Sequence, residues 1–212
     1  MHARLNRFTS RPAGGRISPT RAGILAAIAL SGLSAGLAAG VAQAATPATC
    51  PAAPLSTPFA AWGDNNSYSL VPGGNFEGPL SGWIVPTVVR RVAVSKTEPG
   101  YARVGAWSLE LPAGAVVQTP PVCVSSTENT FRFFARGLST GATVTAQVIY
   151  GSDPGQKSSL TGTWEPSSIF HTGPALSQAL QTKGTVMVAL RITATSGTAR
   201  IDDLYQDPRM KK

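Results

Sequence analysis

Histidine is scarce in this chain, and the common motifs of zinc proteases and nucleotide-binding enzymes are absent. The 212 residues include two histidines, and only His171 lies beyond residue 44, in the turn-rich segment "SSIFHTGP". The chain contains no H-E-x-x-H, P-loop or G-x-G-x-x-G motif. The letters G-x-S-x-G occur at residues 32–36, within the apolar run, and at residues 137–141, between two segments of period-two alternation. That motif needs a strand-to-helix turn and a histidine partner, so by itself it does not predict a serine hydrolase here. A glycosidase needs only two carboxylates, but most of the ten acidic residues stand beside turn residues and no pair is placed about a reacting bond. A glycan-acting hydrolase is therefore less favoured than a non-catalytic protein.

Acidic residues are also absent from the first 44 positions, where five of the 18 basic residues lie. An uncharged run at residues 22–41 follows, and then Ala42-Gln43-Ala44, a small-x-small cleavage signal. This order predicts a signal peptide at residues 1–44 that is cleaved after Ala44, with a retained membrane anchor as the alternative. No second apolar run follows, so we expect a secreted or cell-surface protein without stable membrane insertion after cleavage.

Removal of this segment changes the electrostatic argument. Thirteen basic residues then face ten acidic ones, so the net charge falls from +8 to +3. A short basic tail at residues 208–212 remains, but no run of Lys and Arg interleaved with aromatic residues. Nucleic acid is therefore not expected as a partner.

Cysteine is as scarce as histidine, with Cys50 and Cys123 alone in the sequence. An even pair in an exported chain favours one disulfide bond. It would fasten the Ala/Pro/Thr-rich N-terminal segment, residues 45–61, to the rest of the protein.

From residue 68 onward, apolar side chains alternate with period two, and Gly, Pro, Ser and Thr clusters interrupt the pattern about every ten residues. The segments "WSLEL", "TFRFFAR", "TVTAQVIY" and "TVMVALRIT" show it most clearly, and only "GPALSQALQTK" fits a short helix or turn. The pattern predicts an all-β protein, an antiparallel β-sandwich or jelly roll at residues 62–207.

The segment "NFEGPLSGW" at residues 75–83 resembles the first-strand signature of carbohydrate-binding modules with a galactose-binding-like jelly roll. The closing "ARIDDLYQ" is similar to their last strand, and "FRFFAR" with "VTAQVIY" resembles their middle strand pair. The segment "FAAWGDNNSYSLVPGGNFE" also resembles secreted bacterial proteins without an assigned function. The first resemblance implies a carbohydrate-binding protein, and the second leaves a structural or protein-interaction role open.

The same resemblance implies a structural Ca²⁺ between the first and last strands, held by Glu77 and Asp202, with Asp203 the weaker alternative. Strict alternation would place Asp202 on the same face as Leu204. The other interpretation is that these acids are ordinary surface groups or pair with Arg200.

A ligand site is expected where aromatic rings and polar donors share one open face. If the "GLSTGA" loop closes a hairpin, the outward side chains of its two strands lie side by side. We predict that a polysaccharide or cell-surface glycan, neutral or acidic, binds this face together with two aromatic residues from loops. The predicted ligand-binding residues are Arg132, Phe134, Arg136, Gln147, Tyr101 and Trp164. The alternative is that the second sheet or the N-terminal segment covers this face.

Overall fold

A computed structural model describes residues 49–101, 105–125 and 130–207, which all fall within one structural unit at residues 43–212. The predicted signal peptide with its cleavage position and the basic tail lie outside the described residues. In the part of the chain that the structure describes, no helix combines the length and apolar character needed to cross a membrane.

The described ranges contain thirteen strands, one α-helix and one short 3-10 helix. The 3-10 helix is Ala60–Trp62 and the helix, α1, is Pro174–Lys183. The strands are β1 Leu55–Ser56, β2 Tyr68–Leu70, β3 Arg90–Ala93, β4 Trp107–Leu111, β5 Val116–Gln118, β6 Val122–Ser125, β7 Thr130–Gly137, β8 Thr143–Ile149, β9 Gln156–Ser159, β10 Glu165–Pro166, β11 Phe170–His171, β12 Thr185–Ser196 and β13 Ala199–Asp207. The four segments with the clearest alternation form β4, β7, β8 and β12, and the segment that fitted a helix or turn forms α1. Residues 75–83, which resemble a first-strand signature, form turns and no strand.

An eight-stranded sheet is organised around β13. Strand β7 pairs with β13 along one side, while the other side pairs first with β4 and then with β2. Strand β3 extends the sheet beyond β4, β1 extends it beyond β2, and β10 and β11 pair with β7. The register along β13 shifts between Asp202 and Tyr205, where Asp203 adopts φ 47°.

A five-stranded sheet is organised around β12. Strand β8 pairs with one side of β12, and β5 and β6 pair with the other side. Strand β9 pairs with β8 at the edge. Every pairing between the described strands of both sheets is antiparallel. The observed architecture is thus the predicted all-β sandwich.

The hydrophobic core lies between the two sheets and follows the alternation of the sequence. Leu109, Phe133 and Ile201 contribute from the eight-stranded sheet, and Val144 and Ile192 contribute from the five-stranded sheet. Each of these five side chains is fully buried. Strand β7 therefore contributes Phe133 to the core, while Phe134 points to the opposite face, which we call the outer face of the eight-stranded sheet.

Asp153, from the loop after β8, fixes the start of α1. Its carboxylate accepts hydrogen bonds from the amides of Ala175 and Leu176, at 3.0 and 3.1 Å. A carboxylate at a helix N-terminus satisfies amides that have no partner within the helix. Asp153 is 3% exposed, so this acid has a structural role.

The Cys50–Cys123 disulfide is present, with 5.4 Å between the Cα atoms. Cys123 lies on β6 of the five-stranded sheet, whereas the chain that follows Cys50 enters the eight-stranded sheet as β1. The prediction that the two cysteines are joined is confirmed.

Candidate functional site

The predicted aromatic site on β7 is buried. Phe134 and Trp164 are each 1% exposed, and they form an aromatic cluster with Phe59, Tyr68 and Val94. The Phe59 ring lies 5.1 Å from that of Phe134, because the N-terminal segment crosses the outer face of the eight-stranded sheet. The prediction that the two rings are exposed is wrong. The alternative, a face covered by the N-terminal segment, describes this structure.

Three contacts hold Arg132, with Phe59 of the N-terminal segment, with Asp64 just after it, and with the carbonyl of Ser167. Its Nη1 lies 2.7 Å from Asp64 Oδ2, and its Nε donates to the carbonyl of Ser167 at 2.9 Å. Its guanidinium carbon stands 4.8 Å from the centre of the Phe59 ring, a cation–π distance. The Tyr68 hydroxyl donates to the same Asp64 oxygen. Arg132 therefore fastens the covering segment to the sheet.

Arg136 belongs to an ion-pair network on the same face. Its Nη1 lies 2.8 Å from Glu98 Oε2, and Arg200 Nη1 lies 2.7 Å from Glu98 Oε1. Arg200 also contacts Glu110 at 3.0 Å, and the Trp164 indole donates to Glu98 at 2.8 Å. Arg200 thus pairs with Glu98 and Glu110 rather than with Glu77 or Asp203.

Burial by itself raises the pKa of Glu98. This effect is outweighed by hydrogen bonds from Trp164, the Ser95 amide and Arg136 and by the charge of Arg200, so the pKa lies below its usual value. The carboxylate therefore stays ionised at neutral pH. Tyr101, the remaining predicted aromatic, is half-buried against the aromatic cluster.

Gln147 lies apart from the other predicted residues. Strand β8 belongs to the five-stranded sheet and β7 to the eight-stranded sheet. The "GLSTGA" loop therefore crosses from one sheet to the other, and the predicted hairpin between these strands is wrong. Gln147 points away from the core, because its neighbours Ala146 and Val148 face inward and are buried.

A polar surface, the outer face of the five-stranded sheet, surrounds Gln147. Gln118, Arg191 and Gln147 lie side by side across three strands, because Arg191 pairs with both of the others. Arg191 Nη2 donates to Gln118 Oε1 at 3.2 Å, and Gln147 Nε2 donates to the Asp153 carbonyl at 2.7 Å. The next row, displaced by two residues, is Thr193, Thr145 and Lys157. Side-chain hydrogen-bonding groups thus form a continuous row on rigid strands.

A shallow cavity of about 490 Å³ opens at one end of the sandwich, between the "GLSTGA" loop and residues 160–162. Its lining consists of glycines, hydroxyl side chains, Leu138, Leu160 and Arg136. The Arg136 guanidinium is already paired with Glu98. The cavity therefore offers a ligand fewer hydrogen-bonding side chains than the polar row does.

Three carboxylates meet beside the bulge in β13, in the gap between β4 and β2. Glu77 Oε1 accepts hydrogen bonds from the amides of Ala106 and Trp107, at 2.7 and 2.9 Å. Asp202 Oδ1 accepts from the amide of Asp203 at 2.8 Å, while its buried Oδ2 has no hydrogen-bond partner. A Cβ at Gly105 would collide with the Glu77 carboxylate, so any larger residue there would displace that side chain from its two amide donors.

These carboxylates repel one another. Burial, together with the charges of Asp203 and Glu77, raises the pKa of Asp202 to about 9, although the amides of Asp203 and Gly105 act in the opposite direction. Burial and the charge of Glu77 raise the pKa of Asp203 to about 6. The cluster therefore favours a proton or a cation.

The bulge reverses the predicted orientation of Asp202. Asp202 pairs with Phe134 of β7 and faces outward with it, whereas Leu204 packs in the core. The prediction that Asp202 and Leu204 share a face is wrong, because the extra residue at Asp203 interrupts the alternation. Phe76, beside Glu77, also has a positive φ of 53°. Non-glycine residues in this conformation are uncommon and tend to lie at functional sites.

The donor set suits a hard cation, since carboxylate oxygens are ligands that Ca²⁺ prefers and Asp202 Oδ2 is available. Within the described ranges, however, no three His, Cys, Asp or Glu side chains are arranged as a metal-binding group. A bound cation would therefore need backbone carbonyls or water for its remaining ligands.

No family model matches this chain, and no curated protein matches it. Solved structures with a similar fold include a family 61 carbohydrate-binding module in complex with β-1,4-galactotriose, with TM-score 0.42, 16% identity, and coverage of 65% of this chain and 96% of that one. The C-terminal family 6 module of a laminarinase from Zobellia galactanivorans has TM-score 0.41 and 12% identity over 57% of this chain and 89% of that one. A module of lichenase 5A from Cellvibrio mixtus, in complex with cellotriose, has TM-score 0.41 and 12% identity over 59% and 89%. At these scores no residue role is transferred.

Proposed function

We propose that this protein is a secreted, non-catalytic carbohydrate-binding β-sandwich whose ligand lies on the outer face of the five-stranded sheet. The row formed by Gln118, Arg191 and Gln147 carries the proposal. Sugar hydroxyls both donate and accept hydrogen bonds, and this row offers amide and guanidinium groups at fixed spacing. The Arg191–Gln118 hydrogen bond and the bond from Gln147 to the Asp153 carbonyl hold these side chains in place before a ligand arrives, which lowers the entropic cost of binding.

The opposite side of the sandwich supports this choice by exclusion. There the N-terminal segment lies over the predicted aromatic residues, and the arginines of β7 are paired with Asp64 and Glu98. On the five-stranded sheet, in contrast, Arg191 is exposed and Thr145 and Gln147 are partly exposed. A polysaccharide chain can lie on that face without displacing any described segment.

Glycan binding is tested with a panel of cell-wall and plant polysaccharides. We expect the Gln118→Ala, Gln147→Ala double variant to bind about 30-fold more weakly than wild type, since each of the two lost hydrogen bonds contributes about 1 kcal/mol. Gln178→Ala, an exposed glutamine on α1, is the matched control and should bind like wild type.

If wild type binds no polysaccharide, a structural or protein-interaction role replaces this function. If the double variant remains folded and binds as tightly as wild type, the site lies elsewhere, and the cavity at the sandwich end is the next candidate.

We also propose that Glu77 and Asp202 hold a structural Ca²⁺, which would neutralise the carboxylate cluster and stabilise the gap in the eight-stranded sheet. The buried, unpartnered Oδ2 of Asp202 supports this role. A ligand that binds only the native state raises its stability by RT ln(1 + [L]/Kd). Chelator should therefore lower the melting temperature of wild type and leave that of Asp202→Asn almost unchanged. Identical wild-type melting curves with calcium and with chelator would exclude the site.

Export is the third part of the proposal, with cleavage after Ala44. The disulfide supports it, because such bonds persist in oxidising compartments. N-terminal sequencing of the exported protein should begin at Ala45 or within a few residues of it, whereas a membrane-bound product that begins at Met1 would contradict the cleavage.

A further inference from the structure

The two sheets differ sharply in charge. The five strands of the five-stranded sheet, β5, β6, β8, β9 and β12, contain no aspartate or glutamate. They contain two basic residues, Lys157 and Arg191. In the eight-stranded sheet, by contrast, the arginines of β7 and β13 have acidic partners at 2.7 to 3.0 Å.

Both cations project from the outer face of the five-stranded sheet. Arg191 and Lys157 are exposed, and both occupy positions that alternate with buried residues, Ile192 and Ser158. They are separated by β8 and by two residues along the strands. Strand spacing and rise place their Cα atoms about 12 Å apart, with Gln147 and Thr145 between them.

Neither cation is paired with an acid in the described part of the chain. Arg191 donates to the neutral amide of Gln118, an acceptor that orients the guanidinium without cancelling its charge. Asp153, whose carbonyl lies beside this face, directs its carboxylate to the first amides of α1 instead. The face therefore keeps a positive charge beside a row of hydrogen-bonding groups.

We propose that the ligand on this face is an anionic polysaccharide whose acidic groups bind Arg191 and Lys157. This inference rests on the proposed function and specifies its ligand class. A guanidinium can bind a carboxylate or a sulfate through two parallel hydrogen bonds, and the lysine contributes a second point charge. Gln147 and Thr145 then contact hydroxyl groups of the sugars between the two acidic groups.

The test compares polysaccharides that differ only in charge. Polygalacturonate is paired with its methyl ester, and dextran sulfate is paired with dextran. We expect wild type to bind at least one charged polymer about tenfold or more tightly than its neutral counterpart. This preference should disappear as the salt concentration rises from 50 to 500 mM, because the Debye screening length becomes about threefold shorter. Whichever pair shows the preference identifies carboxylate or sulfate.

The Arg191→Gln, Lys157→Gln double variant should bind the charged polymer about 10- to 100-fold more weakly, which corresponds to about 1.4 to 2.7 kcal/mol for the loss of two solvent-exposed charged contacts. The control is Lys96→Gln, Lys183→Gln, which removes the same charge from two exposed lysines elsewhere. This control should bind like wild type.

Three results would overturn the inference in distinguishable ways. Equal binding of charged and neutral polymers, unaffected by the double variant, refutes the anionic ligand and leaves carbohydrate binding intact. Binding of no polysaccharide refutes the proposed function as well. If a DNA oligomer binds as tightly as dextran sulfate, and the same double variant weakens both, the face recognises polyanions in general and not glycans in particular.

Discussion

Substitution of Glu98 by glutamine removes the centre of the ion-pair network on the eight-stranded sheet. The carboxylate accepts from Arg136 at 2.8 Å, Arg200 at 2.7 Å and the Trp164 indole at 2.8 Å. A glutamine keeps one acceptor oxygen but replaces the other with an NH₂ group, which cannot accept a hydrogen bond from the surrounding donors. Arg200 retains Glu110, but Arg136 loses its carboxylate while its side chain is only 15% exposed.

Breaking a buried ion pair by removing one partner costs about 3 to 5 kcal/mol, and partial exposure places the Glu98 pair near the lower end. We therefore expect Glu98→Gln to lower the free energy of unfolding by about 3 kcal/mol, or the melting temperature by about 6 to 12 °C. Glu110→Gln is the matched control. Its side chain is 26% exposed and Arg200 keeps Glu98, so its cost should be about 1 kcal/mol or less.

Urea unfolding measures both variants, with an unchanged m-value as the sign that the same structure unfolds. The pKa of Glu98 is lowered in the folded protein. Its stabilisation should therefore be complete above the unfolded pKa of 4.5 and decline as pH falls through the lower folded value. If Glu98→Gln and Glu110→Gln cost the same small amount at neutral pH, or their difference is unaltered at low pH, the network does not hold this face together.

Three other substitutions test separate parts of the structure. Phe134→Ala should lower the unfolding free energy by about 3 to 5 kcal/mol in urea, because it leaves a cavity in the aromatic cluster, and a loss below 1 kcal/mol would mean the ring is not packed there. Gly105→Ala should cost about 1 to 3 kcal/mol, because its Cβ collides with the Glu77 carboxylate, and wild-type stability would show that the loop adapts freely. Cys123→Ser should cost about 4 kcal/mol from the loop it no longer closes, whereas an unchanged urea midpoint would assign the bond no stabilising role.

Local pattern was sufficient to predict the fold class. Side chains such as Leu109, Phe133 and Ile192 alternate with polar or outward residues because one face of each strand meets the core, and that constraint is visible within a few residues. The disulfide was predictable for a similar reason, since a chain with two cysteines allows only one intramolecular pairing. Strand pairing was not predictable in the same way, because a six-residue loop can close a hairpin or connect two sheets.

The candidate site depended on contacts that are distant in sequence. Phe134 has the local pattern of an outward-facing residue, and it is buried only because Phe59, 75 positions earlier, lies across it. The orientation of Asp202 changes because Asp203 adopts a positive φ, which the sequence does not indicate for an aspartate. Gln147 was correctly predicted to point outward, but its neighbours Gln118 and Arg191 were missed. The sequence signal that could have located them is the alternation of polar and buried residues along β5 and β12, two strands that contain no acidic residue.

The covalent link between Cys50 and Cys123 determines how the protein would bear mechanical load. Tension applied to the chain at Cys50 passes through the sulfur atoms to β6 and then to β12, which pairs with it over four residues. Strand β1 and the segment that carries Phe59 lie outside that route. Without the bond, the same tension would reach β1 first and peel its two-residue pairing from β2, strand end first. The disulfide thus keeps the force off the β1–β2 pairing and the covering segment, and directs it to the central strand of the opposite sheet.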